Sequence, residues 1–343
     1  MTEVLICSYL EPELVERVRA VDPRLHVNYR PDLLPQPRYL ADHVGAPLVR
    51  SPSDQAAWDV LLAGAEVLFD FDYTDMTGWV AKAPRVRWLQ ASSAGIGQLV
   101  KRRRFDETGI VFTTASGVHA RPLAEFVTMV MLEHVKRAGL AREQQAKRSW
   151  QRFTTGELCG KTLAIVGGFG RIGTEVAGLA RAFGMRVIAS KRDVGGLDAA
   201  ALGLAALYGS DGLHDLLAGA DYVCLITPHT PETEGLMDEA AFAAMKPGAV
   251  LINIARGAVV HEPALLAALN AGRLAHAALD VAAVEPLPAD SPLWAHPNVT
   301  IYPHSASTGE HENERLVHLF CDNLRRYLTG EPLLNRLDTE RMY

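Results

Sequence analysis

The stretch "TLAIVGGFGRIGTEVAGLARAFG" (162–184) constrains the fold more than any other part of the chain. An apolar run ends in Gly168-x-Gly170-x-x-Gly173, and a helical pattern follows at once, closed by Gly184. In such a turn the first glycine permits a tight bend and the second lets a pyrophosphate approach the backbone. The third allows close helix–sheet packing, and the helix start presents free N–H groups and its positive dipole end. Alone the motif is a weak signal. Its surroundings strengthen it, because "MRVIAS", "AALYG", "DYVCLITP", "AVLINIA", "HAALDVA" and "NVTIYP" follow as short apolar runs alternating with helical or loop segments. Such near-continuous apolarity predicts a parallel sheet covered on both faces.

At 343 residues the chain is long enough for two domains. Residues 1–112 hold four further apolar runs, in "EVLICSYL", "EVLFDF", "RVRWLQAS" and "IVFTTAS", which predict a smaller α/β domain. Between them, 31–53 carries Pro31, Pro35, Pro37, Pro47 and Pro52 and reads as an irregular excursion. From Leu123 one long helix is expected, "LAEFVTMVMLEHVKRAGLAREQQAKR". The last segment, "ENERLVHLFCDNLRRYLTGEP", is an amphipathic helix expected to return to the first domain.

A net charge of −6 argues against nucleic acid as the main partner, and Lys101–Arg104 reads as a solvated helix end. Cys7, Cys159, Cys224 and Cys321 lie beside apolar residues with no C-x-x-C pair, so reduced, mostly buried thiols are expected. No metal is expected either, since His304, His311 and His318 recur every seven residues without a ligand spacing. The start, "MTEVLICSYL", reads as a strand, and no apolar run reaches the roughly 18 residues a membrane span needs. A cytoplasmic protein without a membrane partner is the expectation.

In a dinucleotide site the residue meeting the adenosine ribose lies about 20 positions after the glycines, where an acid suits the 2′-OH of NAD. Here "ASKRD" offers Lys191 and Arg192, which suit the 2′-phosphate of NADP, with Asp193 left as the ribose partner if both cations are solvated. NADP is expected over NAD. Three other strand ends carry reactive groups: Arg256 in "INIARGAVV", Asp280 and Glu285 in "ALDVAAVEPLP", and His304 in "YPHSAS". They suit hydride chemistry on a 2-oxo acid. Arg256 can fork onto a carboxylate and the adjacent oxo group. His304 can give the oxo oxygen a proton, and a buried Glu285 would favour the charged ring.

From "WLQASSAGIG" (88–97) to the C-terminus the chain resembles the D-isomer-specific 2-hydroxyacid dehydrogenases. The resemblance rests on "GVHARPLAEF", "GELCGKTLAIVGGFGRIG", "TPHTPETEGLMDEAAFAAMKPGAVLINIARGAVV" and "LDVAAVEPLPADSPLWAHPNVTIYPHSAS". It implies a Rossmann-type doubly wound parallel sheet (118–304) inserted into a smaller flavodoxin-like α/β substrate domain (1–117 and 305–343). It also implies hinges near 117–121 and 303–305 and a homodimer formed through 121–148. Arg256, Glu285 and His304 would be the catalytic trio, and the backbone of Ala94, Gly95 and Ile96 would hold the substrate carboxylate. For the cofactor, Gly168, Gly170, Arg171, Ile172 and Gly173 would meet the pyrophosphate, and Thr227, Pro228 and Thr233 the adenosine side. Ile254, Ala255, Arg256 and Asp280 would sit by the nicotinamide.

Two departures stand out. "VGGFG" carries one residue more than the family's spacing, which leaves open which glycine faces the pyrophosphate, and His229 replaces a small or apolar residue. The basic pair at 191–192 resembles the NADP-preferring glyoxylate and hydroxypyruvate reductase branch. Glu285 argues against a formate dehydrogenase, whose histidine pairs with glutamine. The regulatory domain that many phosphoglycerate dehydrogenases carry is not expected within these 343 residues. A phosphite dehydrogenase and a nucleotide-sensing corepressor-like binding protein remain as alternatives.

Overall fold

The computed structural model describes residues 1–343, and in it twelve strands form two all-parallel sheets. In the first sheet β1 (Thr2–Ile6), β2 (Leu25–Asn28), β3 (Val67–Phe69), β4 (Trp88–Gln90) and β5 (Val111–Thr113) lie in the order β2-β1-β3-β4-β5. This is the flavodoxin-like order. The second sheet holds β6 (Thr162–Val166), β7 (Arg186–Ser190), β8 (Ala206–Tyr208), β9 (Tyr222–Leu225), β10 (Ala249–Asn253), β11 (Leu274–Leu279) and β12 (Val299–Ile301). Their order, β12-β11-β10-β9-β6-β7-β8, is the doubly wound order with a seventh strand added.

Side-chain alternation explains why both faces of the second sheet must be covered. On β6, Leu163 and Ile165 enter one core with Val127, Met131 and Val176, while Ala164 and Val166 enter the other with Leu216, Phe242 and Leu265. The first sheet divides in the same way. Val4 and Ile6 face Val15, Leu316 and Phe320, whereas Leu5 and Cys7 face Trp58, Leu62 and Trp79. The final helix, Glu312–Thr329, buries Leu316, Val317, Phe320 and Leu324 in the first of these cores. Each such aliphatic or aromatic side chain contributes about 1.5–3 kcal/mol by leaving water. Gly330 ends that helix at φ 72, a conformation that favours glycine.

The chain divides into two units, Met1–His119 with Thr308–Tyr343, and Ala120–Ser307. The breaks expected after 117 and 304 therefore fall slightly later. Val118 is buried in the first unit and its N–H bonds Ala115 O, while Asp280 of the second unit holds the N–H groups of Ser305 and Ala306. The long helix expected from Leu123 is also corrected. It is two helices, Ala120–Val135 and Ala138–Ala146, separated where Arg137 takes φ 54. The excursion at 31–53 has one short 3-10 turn, Pro31–Leu33, before a helix begins at Pro52. Cys7, Cys224 and Cys321 are buried, and Cys159 is exposed.

Candidate active site

Ligands of open parallel sheets bind beyond the carboxyl ends of the strands, where the strand order reverses. In the second sheet that reversal lies between β6 and β9. Gly167 leaves β6 at φ +107, and a Cβ there would stand 2.3 Å from Thr227 Cα, so only glycine fits. Gly168 follows at φ +119 with open space around its Cβ position. Gly170 is the N-cap of the helix Arg171–Ala182, has no side chain, and likewise faces open space. Gly173 packs that helix inward, its Cβ position lying 2.9 Å from Gly168 O and 3.3 Å from Ile226 Cδ1. The additional residue thus resolves into separate duties: Gly167 for contact with the next strand, Gly168 for the bend, Gly170 for the helix start and Gly173 for packing.

This arrangement fits a dinucleotide. The crest is bare of side chains where a pyrophosphate would need backbone approach, and a 12-residue helix begins there without a side-chain cap. Ser190, buried at the end of β7, accepts a hydrogen bond from Gly167 N–H at 3.3 Å and ties the glycine turn to the ribose position. Lys191 and Arg192 come next and are exposed. Arg192 lies 3.8 Å from Glu232 and His229 3.6 Å from Glu234. Asp193 points one carboxylate oxygen back at Gly195 N–H, 2.9 Å away. Thr227 is buried, and Thr233 Oγ1 donates to Pro228 O at 2.7 Å, fixing the loop after β9.

The groups expected to react follow β10, β11 and β12. Asn253 ends β10 and clamps the next turn, its Oδ1 accepting from Ala255 N–H at 3.0 Å and its Nδ2 donating to Arg256 O at 3.2 Å. Ile254 and Ala255 are buried, and Arg256 donates from one guanidinium nitrogen to Ala255 O at 2.7 Å. Burial pulls the Arg256 guanidinium below its usual range, opposed by the charges of Glu285 and Asp280. Gly257 then presses on the chain after β11, since a Cβ on it would stand 1.8 Å from Ala282 C. Asn253 and Gly257 were not singled out from sequence, where only their places beside Arg256 hinted at them.

Asp280 is buried at the end of β11 and accepts from Ser305 and Ala306 N–H at 2.8 and 2.9 Å. Burial raises its carboxyl against the lowering effect of those two bonds. His304 sits at φ 54, held by N–H bonds to Asp280 O and Tyr302 O. Its Nδ1 lies 2.8 Å from Glu285 Oε2, while Glu285 Oε1 accepts from Ala282 N–H at 3.1 Å. An ionised carboxylate only accepts, so the ring proton belongs on Nδ1 and Nε2 is the reactive end. Burial raises the Glu285 carboxyl, but the His304 and Ala282 hydrogen bonds and the charge of Arg256 leave it below its usual range. The expectation of a buried glutamate is corrected. Its side chain is 39% exposed, because the loop after β11 carries it out past the strand ends.

Ala94 and Gly95, exposed, and Ile96, buried, follow β4 in the first unit. No helix of the chain is long and apolar enough to cross a membrane.

Residues 128–306 match the family model described as D-isomer specific 2-hydroxyacid dehydrogenase, NAD binding domain. Among similar proteins is a glyoxylate reductase of Aeropyrum pernix, 35% identical over 274 residues, covering 76% of this chain and 79% of that one. A D-3-phosphoglycerate dehydrogenase of Mycobacterium bovis is 34% identical over 254 residues and 74% of this chain, which spans only 47% of that relative's length. The solved structure of a D-isomer specific 2-hydroxyacid dehydrogenase from Xanthobacter autotrophicus Py2, in complex with NADPH and MES, superposes with a TM-score of 0.79. It is 28% identical over 100% of this chain and 99% of that one. With its two parallel-sheet domains, its glycine turn and these relatives, the chain belongs to the D-isomer specific 2-hydroxyacid dehydrogenase family, NAD(P)-dependent oxidoreductases acting on CH–OH groups.

Proposed function

We propose that this protein reduces a small 2-oxo acid of the glyoxylate or hydroxypyruvate kind to the D-2-hydroxy acid, with NADPH as its preferred cofactor. The observation that carries the reading is the His304–Glu285 pair, 2.8 Å apart, on the strand ends that also present Arg256 and Asp280. The bound cofactor supplies the hydride, and the remaining chemistry belongs to the chain. Arg256 holds the substrate carboxylate and oxo oxygen together and draws electron density from the carbonyl carbon. In the first unit, Ala94, Gly95 and Ile96 offer backbone N–H groups that suit a carboxylate. His304 Nε2 gives its proton to the oxo oxygen as the alkoxide forms. Glu285 accepts from His304 Nδ1 at 2.8 Å, which keeps the ring turned with Nε2 toward the substrate side.

Asp280 is positioned to accept from a carboxamide. Gly168, Gly170, Arg171, Ile172 and Gly173 hold the pyrophosphate, and Thr227, Pro228 and Thr233 line the adenosine side. Lys191 and Arg192, with His229 beside them, receive the 2′-phosphate. Their exposure, and the engagement of Asp193 by Gly195, support NADP over NAD. The Aeropyrum relative and the NADPH-bound neighbour support the substrate class and the cofactor. A homodimer through 121–148 is supported by Met129, an exposed apolar side chain on the helix Ala120–Val135.

The test is initial-rate measurement on a panel of 2-oxo acids with NADPH and NADH. NADPH is expected to win by at least about tenfold, the worth of one charge-assisted hydrogen bond. Equal or better rates with NADH would refute the cofactor assignment, and no turnover on any 2-oxo acid would refute the reaction.

A further inference from the structure

The first sheet has its own reversal of strand order, between β1 and β3, and so its own ligand crest beyond their carboxyl ends. Five polar residues converge there. Ser8 follows β1, Asp70 and Tyr73 follow β3, Ser92 follows β4, and His43 arrives from the proline-rich excursion. Ser8 Oγ and His43 Nδ1 are 3.1 Å apart. Tyr73 Oη and Ser92 N–H donate to Asp70 Oδ1 at 3.3 and 3.4 Å. The second polar atom of each central residue, His43 Nε2 and Asp70 Oδ2, is buried without a hydrogen-bond partner in the protein.

Native proteins rarely leave such atoms unsatisfied, and those that do occur call for an explanation. Asp70 is 0% exposed and sits at φ 68, a strained backbone conformation for a residue with a side chain. Burial pushes its carboxyl up, against the pull of His43 and of hydrogen bonds from Ser92 and Phe71. Arg50, the nearby guanidinium, is engaged through Nε and Nη1, while its Nη2 is buried without a hydrogen-bond partner. It donates to Leu33 O at 2.8 Å and Thr74 Oγ1 at 2.7 Å, lies over the Trp58 ring at 4.3 Å, and stands 3.8 Å from Asp72.

We infer that Asp70 and His43 determine specificity: Asp70 Oδ2 accepts from, and His43 Nε2–H donates to, one hydroxyl group on the substrate beyond its oxo carbon. This rests on the reaction proposed above, in which Ala94–Ile96 offer N–H groups that suit the carboxylate. Ser92, bonded to Asp70, lies two residues before that segment on the same strand exit. The substrate is then a 2-oxo acid with a neutral hydroxyl at C3. A carboxylate at this point also repels a second anion, so phosphate esters and dicarboxylates are refused.

The test uses a pair of substrates that differ by that hydroxyl alone, hydroxypyruvate and pyruvate, with NADPH. The readout is the ratio of their kcat/KM values in the native protein and in Asp70→Leu, His43→Leu and His43→Gln, each first checked for folding by its thermal transition. The native ratio is expected to favour hydroxypyruvate by about 100-fold or more, since sites built to bond a hydroxyl discriminate strongly against its absence. Each leucine variant should lower the ratio by at least about tenfold, and His43→Gln, which keeps a donor, should restore most of it. 3-Phosphohydroxypyruvate should be a poorer substrate than hydroxypyruvate. If Asp70→Leu does not fold, the two His43 variants decide. Equal kcat/KM values in the native protein, a ratio untouched by the leucine variants, or preference for the phosphate ester would overturn the inference while leaving the reaction standing. A native protein inactive on every 2-oxo acid would overturn the reaction itself.

Discussion

The crest of the second sheet presents bare backbone, with Glu285 and His304 exposed beside it, whereas the crest of the first gathers buried polar side chains from separate loops. In the second, glycines at 167, 168, 170 and 173 clear the surface, and Glu285 and His304 reach out past the strand ends. In the first, Asp70 is 0% exposed and His43 comes from a segment with hardly any regular structure. A cofactor with a constant shape suits a site made of backbone, which resists side-chain change. A substrate with a variable tail suits a site made of side chains, which can change one at a time without disturbing the sheet.

Perturbing the second crest should therefore affect chemistry and cofactor, in decreasing steps. The largest loss is expected from His304→Ala. It should lower kcat by about 10²- to 10⁴-fold, with NADPH affinity by fluorescence titration within about twofold of native. A native kcat in that variant would remove His304 from the proton transfer.

Gly257→Ala should come next. Its methyl group would push on the Ala282–Ala283 backbone, which leads into Glu285, and displacements of about 1 Å can cost about 10²-fold. If kcat/KM stays near native, Gly257 does not register Arg256 against Glu285.

Lys191→Asp and Arg192→Asp should each shift the NADPH-to-NADH ratio of kcat/KM toward NADH by about tenfold. An unchanged ratio in both would transfer the 2′-phosphate to His229.

Glu285→Gln has a subtler signature. The Glu285 carboxyl lies below its usual range, so it is charged throughout neutral pH and can only accept the hydrogen bond from His304 Nδ1. An amide in its place can donate to Nδ1 as well as accept from it, so the ring tautomer is no longer fixed and kcat should fall by up to about tenfold, with NADPH affinity unchanged. A native kcat in that variant would show that Glu285 does not set the His304 tautomer.

The last effect concerns stability rather than turnover. Burial, and then the neighbouring His134, push the His276 imidazole down to about 4. The unfolded ring takes up its proton nearer 6.5, so acid favours the unfolded chain. The penalty is absent above about pH 6.5 and grows as pH falls toward 4, to at most about 3 kcal/mol. His276→Asn should flatten urea stability between those pH values, and an unchanged slope would assign the acid sensitivity elsewhere.

How much of this could be read from the sequence follows from locality. The glycine turn, the strand-end arginine and histidine and the basic pair are each contained in a few consecutive residues, and the apolar runs announced the second sheet. What escaped was set by contacts distant in the chain. Gly167 is required by Thr227, Gly257 by Ala282, and Asp70 meets Ser92 only because β3 and β4 are neighbours. The exposure of Glu285 depends on how the loop after β11 runs, and the break falls at Arg137 itself, two residues before Gly139.

Stereospecific transfer is the property on which the reaction stands or falls. Hydroxypyruvate or glyoxylate should be incubated with the protein and NADPH carrying deuterium at the nicotinamide C4, and the product analysed by mass spectrometry and chiral chromatography. Deuterium at C2, with the D-isomer alone from hydroxypyruvate, is the expected result. Product without label, the L-isomer, or no product from any 2-oxo acid would contradict the assignment of Arg256, Glu285 and His304 to this chemistry.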